Sequence, residues 1–263
     1  MLSDPALQIP RAILKKAKDL GADLAGFASV AQLKKSPSAA FAPQISNEPK
    51  KYGVHPAAIQ WPDQAQTVLV IAEVHPEEKP ELDWWIGMAN PAGNRKLAKT
   101  ISRLCDWISQ TYPIETVHLP YPVEKGGIYL KDTAVMAGLG CIGKNNLLIT
   151  PEYGSRIRLR ALALSMALPP TGPTGFNPCA DCEEYCRKVC PVNAFNQGGY
   201  RPSDYGQEIL PGTDGHFSRQ ACYIQMDRDE TAERKEKIDG FEAPVPVIKY
   251  CRRCEMACPV GQT

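Results

Sequence analysis

Three things are scarce in this 263-residue chain. No stretch approaches the roughly 18 consecutive apolar residues of a membrane-spanning helix. The first twenty residues carry Asp4, Arg11, Lys15, Lys16, Lys18 and Asp19, leaving no apolar core of the about seven residues that a secretory leader needs. Net charge is nearly absent: 30 Lys and Arg against 29 Asp and Glu leave +1, too little for a global field that would draw nucleic acid or an anionic membrane. Histidine is rare as well. His55, His75, His118 and His216 show no metal-ligand spacing and read as surface or packing residues. These absences favour a cytoplasmic protein without a membrane partner, where clustered cysteines serve as metal ligands more often than as disulfides.

Cysteine is what the chain has instead. Seven of its ten cysteines fall in two runs, Cys179, Cys182, Cys186 and Cys190 followed by Pro191, and Cys251, Cys254 and Cys258 followed by Pro259. Cys222, between the runs, supplies an eighth. Zinc is the rival reading of Cys-x-x-Cys pairs. The Cys-Pro endings and the division of eight thiols into two sets of four favour two [4Fe–4S] clusters, each held by four cysteines. Two-cluster ferredoxins exchange the fourth ligand between motifs. That pattern joins Cys179, Cys182 and Cys186 to Cys258, and Cys222, Cys251 and Cys254 to Cys190. The three-residue gap between Cys182 and Cys186 is one longer than usual.

Upstream, the pattern is mixed helix and strand. Apolar spacing predicts helices over 9–20, 93–110 and 131–137, and strands over 24–30, 67–74, 116–119, 147–150 and 157–164. Residues 36–62 read as irregular surface chain. Cys105 lies on the apolar stripe of the second helix and reads as a small buried hydrophobe. Gly138-Leu139-Gly140-Cys141-Ile142-Gly143-Lys144-Asn145-Asn146 forms a glycine loop able to approach a ligand closely. Its glycine spacing fits a dinucleotide fingerprint by letter, but helix before and strand after is the reverse of the order that fingerprint needs. Cys141 reads as a small residue fitted beside a ligand, with a reactive thiol as the alternative. Pro169, Pro170, Gly172, Pro173 and Gly175 mark a boundary between a domain over 1–168 and a turn-rich, cysteine-bearing part over 169–263, held together by metal rather than by an apolar core.

The stretches Ala134–Gly140, Ile142–Asn145 and Leu147–Ser155, the two cysteine runs and Ala221–Ile224 together resemble the cobalamin-dependent iron–sulfur reductases typified by epoxyqueuosine reductase, and more distantly the reductive dehalogenases. The resemblance spans nearly the whole chain. It implies a mixed fold, α+β or α/β, in which a nitroreductase-like corrinoid-binding domain precedes a bacterial ferredoxin-like double-cluster module. It also implies two cofactors, a pair of [4Fe–4S] clusters and a cobalamin, with electrons passing singly through the clusters to the corrinoid. Gly138, Leu139, Gly140, Cys141, Gly143, Lys144, Asn145 and Asn146 would lie against that corrinoid. The chain departs from the family at three points. Cys141 stands where the family has Trp. Its proton-donating Asp is missing, and Glu124 falls at that position when counted back from Ala137. Only five residues follow Cys258, too few for a tRNA-gripping helical-repeat domain. From these the expected substrate is a small molecule or a bound corrinoid rather than nucleic acid, with Tyr121, Glu124, Tyr129, Lys131 and Asp132 as the pool for a general acid. The expected partner is an upstream electron donor such as ferredoxin or flavodoxin. The alternatives are an electron carrier with a partner-docking N-terminal domain, or a structural zinc protein.

Overall fold

The architecture comes from a computed structural model that describes residues 7–44, 59–86, 90–196, 199–238 and 240–262. In chain order the elements are α1 (Gln8–Asp19), β1 (Leu24–Ser29), α2 (Val30–Leu33), α3 (Pro37–Phe41), β2 (Thr67–Val74), β3 (Trp85–Ile86), α4 (Ala92–Thr111), β4 (Thr116–His118), α5 (Leu130–Met136), β5 (Cys141–Ile142), β6 (Leu148–Ile149) and β7 (Ile157–Leu164). The cysteine-bearing part adds α6 (Tyr185–Lys188), α7 (Pro202–Tyr205), α8 (Arg219–Thr231), β8 (Arg234–Glu236), β9 (Val245–Ile248) and α9 (Arg253–Met256). No helix among the described residues is long and apolar enough to cross a membrane.

A four-stranded sheet ordered β1-β2-β7-β4 organises the first part, with every pair antiparallel. The continuous apolar run of β2 follows from its position, because both faces of the sheet are covered. On one face Leu69, Ile71, Leu162 and Leu164 meet Ile13 and Ala17 of α1 and Leu97, Ile101, Leu104 and Ile108 of α4. On the other Val68, Val70, Ala72, Leu159 and Ala161 meet Val30, Leu33 and Ala134 from α2 and α5. Each Val, Leu or Ile among them, fully buried, contributes about 1.5–3 kcal/mol of transfer free energy. Cys105 is buried on α4, as its stripe predicts, and its sulfur hydrogen-bonds Thr116 Oγ1 at 2.8 Å.

The stretch expected to be irregular over 36–62 holds a helix. Ser36 caps α3 by accepting from the Ala39 N–H at 3.4 Å. Pro37 occupies the first helical position, where proline starts a helix instead of breaking one. Phe41 is buried with its ring 4.9 Å from that of Tyr200 and 4.7 Å from that of Tyr205, so α3 packs against the cysteine-bearing part. The remainder of that stretch over 45–58, including His55, lies outside the described residues.

The Pro- and Gly-rich connector is fastened to the first part. Thr171 Oγ1 accepts from the Phe27 N–H at 2.9 Å and donates to the Ala137 carbonyl at 2.6 Å. Beside it a Cβ on Gly172 would stand 2.2 Å from the Gly138 nitrogen. Beyond the connector the second sheet is small, ordered β3-β9-β8. Its β3 comes from the first part, with Trp85 opposite Ile248 and Ile86 opposite Val247.

Candidate metal centre

The eight cysteines of the two runs and α8 gather into two groups. Burial raises the Cys179 thiol, and neighbouring Cys182 and Cys258 raise it further. Burial pushes Cys186 up to about 11, with Cys258, Cys179 and Cys182 adding to the effect. The second group behaves alike. Burial raises Cys222, aided by Cys190 and Cys251, and pushes Cys254 up to about 12, aided by Cys251 and Cys222. The mutually interacting thiols are thus Cys179, Cys182, Cys186 and Cys258 in one group and Cys190, Cys222, Cys251 and Cys254 in the other, the division that ligand exchange implies. Cys186 also acts on Cys254, so the groups adjoin. Their exposure differs: Cys179, Cys186 and Cys258 are buried, whereas Cys251 is exposed.

This donor set suits a polynuclear cluster. Thiols crowded in low-dielectric surroundings resist ionisation until a cation compensates the charge. Cysteine thiolate is the donor that [4Fe–4S] clusters take, four to each cluster; among the described residues no three His, Cys, Asp or Glu donors form a single-ion site. Backbone donors also reach the sulfurs. The Ala194 N–H donates to Cys190 Sγ at 3.3 Å, and the Lys144 and Arg253 backbone N–H groups lower the Cys179 and Cys251 pKa values against burial.

The glycine loop is the seam between the two parts. β5 and β6 form a hairpin with Cys141 opposite Ile149, and a Cβ on Gly140 would stand 2.0 Å from the Ile149 oxygen. Gly140 is therefore demanded by the hairpin itself. Asn145 is buried; its Nδ2 donates to the Cys254 carbonyl at 3.4 Å and its Oδ1 accepts from the Leu147 N–H at 3.1 Å. Lys144 Nζ pairs with Glu184 at 2.7 Å, and the Lys144 carbonyl accepts from Arg187 Nε at 3.1 Å. Asn146, at φ +57° in the left-handed region where Asn is favoured, accepts from the Gly212 N–H at 3.2 Å. Cys141 packs with Ile149, Cys179 and Cys258, and burial followed by those two thiols pushes it up to about 11. Of the side chains expected to lie against a corrinoid, Lys144, Asn145 and Asn146 bond the cysteine-bearing part, Cys141 packs beside Cys179 and Cys258, and Leu139 packs in the first part.

The residues expected to supply an acid are scattered. Glu124 lies in a short turn over Val123–Lys125, and its side chain lies outside the described residues. Asp132 is buried and clamps α3, accepting from Ser38 N at 2.8 Å and Ser38 Oγ at 2.7 Å. Lys131 donates to the Asn146 carbonyl; burial lowers its pKa to about 8, Asp132 opposing and Arg219 assisting. Tyr121 is exposed, with the Arg160 guanidinium 4.0 Å from its ring centroid.

One network escaped the sequence reading. His75 is fully buried and donates through Nδ1 to Asp83 Oδ1 at 2.9 Å. Asp83 also pairs with Arg158 Nε at 2.9 Å and with Arg252 Nη1 at 2.7 Å. Both arginines close on Glu255, Arg158 at 3.1 Å. Burial raises the Asp83 carboxyl, but the His75 hydrogen bond and the charges of Arg158, His75 and Arg252 outweigh it and leave the pKa below its usual value. The available signal was Arg158 itself, one of two arginines, with Arg160, in a strand whose other residues are apolar.

Comparison with known proteins places this architecture. No protein-family profile matches the chain. A curated epoxyqueuosine reductase from Lactococcus garvieae is 26% identical over 217 residues, which is 76% of this chain and 53% of that relative. Another, from Bacillus anthracis, is 31% identical over 132 residues, 49% of this chain and 29% of the relative. The chain is a relative of the epoxyqueuosine reductases. It spans about half the length of these curated relatives, or less. A crystal structure of epoxyqueuosine reductase with a tRNA-Tyr epoxyqueuosine-modified stem loop matches with a TM-score of 0.60 at 18% identity, covering 98% of this chain and 66% of that one. A catabolic reductive dehalogenase in complex with 3-bromo-4-hydroxybenzoic acid matches with a TM-score of 0.63 at 17% identity, covering 100% and 33%. At these identities the likeness is one of fold. The expectation against nucleic acid loses its footing: an epoxyqueuosine reductase of this fold carries a tRNA stem loop, and a near-zero total charge says nothing about local patches.

Proposed function

We propose that the chain is a corrinoid-dependent iron–sulfur reductase whose two [4Fe–4S] clusters deliver electrons toward a corrinoid at the junction of its two parts. The observation that supports this reading is the separation of eight thiols into two adjoining groups of four, together with the kinship to epoxyqueuosine reductases. When bound, the clusters move single electrons and the corrinoid supplies the bond-reducing chemistry. The chain's own contribution is to hold the sulfurs, to direct the Lys144 and Arg253 N–H groups at two of them, and to close the seam with Asn145 and Arg187. Such hydrogen bonds to ligand sulfurs raise a cluster's potential. The stretch from Gly138 to Asn146 is then a wall between the parts, and proton delivery falls to other groups.

The relatives' names offer two substrate classes to try, an epoxide on a modified tRNA nucleoside and an organohalide. Anaerobic purification with iron and sulfide analysis, then a visible spectrum with and without cobalamin, tests the reading. Two clusters and a retained corrinoid are expected. The engagement of the loop's side chains favours one second reading, an electron carrier with a docking domain; intact clusters that retain no cobalamin would establish it instead.

A further inference from the structure

The second thiol group is the outer one, and the surface above it has a definite character. A pocket of about 680 Å³ opens over Cys190, lined by Lys188, Val189, Pro191, Arg253, Met256 and Ala257. Its floor is apolar and its charged lining is cationic, with no carboxylate. Val189 is 38% exposed, and neighbouring Tyr185 is 48% exposed with Lys188 Nζ 5.4 Å from its ring centroid. Lys188 pairs with Glu183 at 3.1 Å in an arrangement mostly open to solvent, which costs little to dissolve. The Arg253 guanidinium is exposed and makes no ion pair among the described residues. The first thiol group, by contrast, is buried against the glycine loop.

We infer that this pocket is the docking surface for a small acidic one-electron carrier protein. The inference rests on the cluster reading above. An apolar floor with a cationic rim suits a partner whose acidic surface surrounds an exposed redox centre: the charges steer the encounter and orient it, and the small apolar contact permits rapid release, as in other electron-transfer encounters that bury under about 1,200 Å². One electron leaves the reduced carrier and enters the cluster ligated by Cys190, so the carrier is oxidised and the cluster reduced by one electron each, with no proton or bond exchanged. The buried first group then accepts that electron from its neighbour.

The test uses the full-length, cluster-loaded protein. Cluster bleaching is followed by stopped flow with photoreduced acidic flavodoxin as donor, and separately with dithionite. Lys188→Glu is expected to slow reduction by flavodoxin about threefold or more at low ionic strength through lost electrostatic steering, and added salt should slow the wild type toward the variant. Reduction by dithionite, an anion, is compared at high ionic strength where the field is screened, and should there change by less than about twofold. Arg228→Glu, the same single charge reversal made on the separate α8 groove, should leave both rates unaltered. Equal flavodoxin rates in the wild type and Lys188→Glu, or equal slowing by Arg228→Glu, overturn the docking surface while the clusters stand. A protein lacking iron and sulfide on analysis overturns the cluster reading and the docking surface with it.

Discussion

The two parts of this molecule are stabilised by different physics. The first has a sheet covered on both faces by apolar side chains. The second is built of short helices and turns; α8 runs 13 residues and buries only Ala221. Its most buried residues include three of its own cysteines and Glu255. An apolar core sustains itself, whereas crowded thiols and a buried carboxylate need compensation from metal and from arginines.

The sharpest way to break this contrast is to remove iron. Chelation should abolish hydrogen-exchange protection in α6, α8 and α9 while β2 and β7 keep theirs; uniform protection or uniform loss would mean that both parts share one stabilising mechanism. Asp83→Ala comes next, because it strips two arginines of a shared partner at the seam. Breaking a buried pair of this kind costs about 3 kcal/mol, read as a lowered urea midpoint. The same group sets a pH dependence. Its folded pKa is depressed, so its contribution is present above the ordinary aspartate pKa of about 3.9 and is lost as pH falls through the lower folded value. In Asp83→Ala that acid-side loss should be reduced. Gly140→Ala should cost about 1–3 kcal/mol through overpacking of the hairpin, whereas Gly175→Ala, where a Cβ meets nothing within 4 Å, should be close to neutral. A small effect is expected for Lys144→Ala, which removes a partly exposed ion pair worth about 0–1 kcal/mol and weakened by salt. A large loss there would indicate that the seam depends on its rim charges more than on Asn145 and the buried network.

Much of this was legible beforehand. The strands and long helices follow from periodicity: β2 matches its apolar run, and the face of α4 matches Leu97, Ile101, Leu104, Cys105 and Ile108. The two-cluster ferredoxin pattern led to the expectation that Cys258 joins the first run, and the structure places Cys258 beside Cys179. The helix at Pro37–Phe41 was obscured because Pro and Ala in a polar stretch read as loop until the buried Phe41 explains them. The network of His75, Asp83, Arg158, Arg252 and Glu255 could not be assembled in advance, since it joins residues from four separate stretches through antiparallel pairing that no local pattern encodes. Gly140 shows a similar limit: a glycine demanded by neighbouring backbone and one demanded by a ligand look the same in one dimension.

The pairing of β3 with β9 makes the cysteine-bearing part discontinuous. Trp85 and Ile86 precede the Pro-rich connector yet form the edge on which Val247 and Ile248 lie, so a division of the chain near residue 169 is a division in sequence and not in space. Anyone transplanting the cysteine runs into another protein as a cassette would sever that edge, leaving one side of β9 open to pairing with stray chains. A working transplant would have to carry the segment around Trp85 as a second, separately encoded piece.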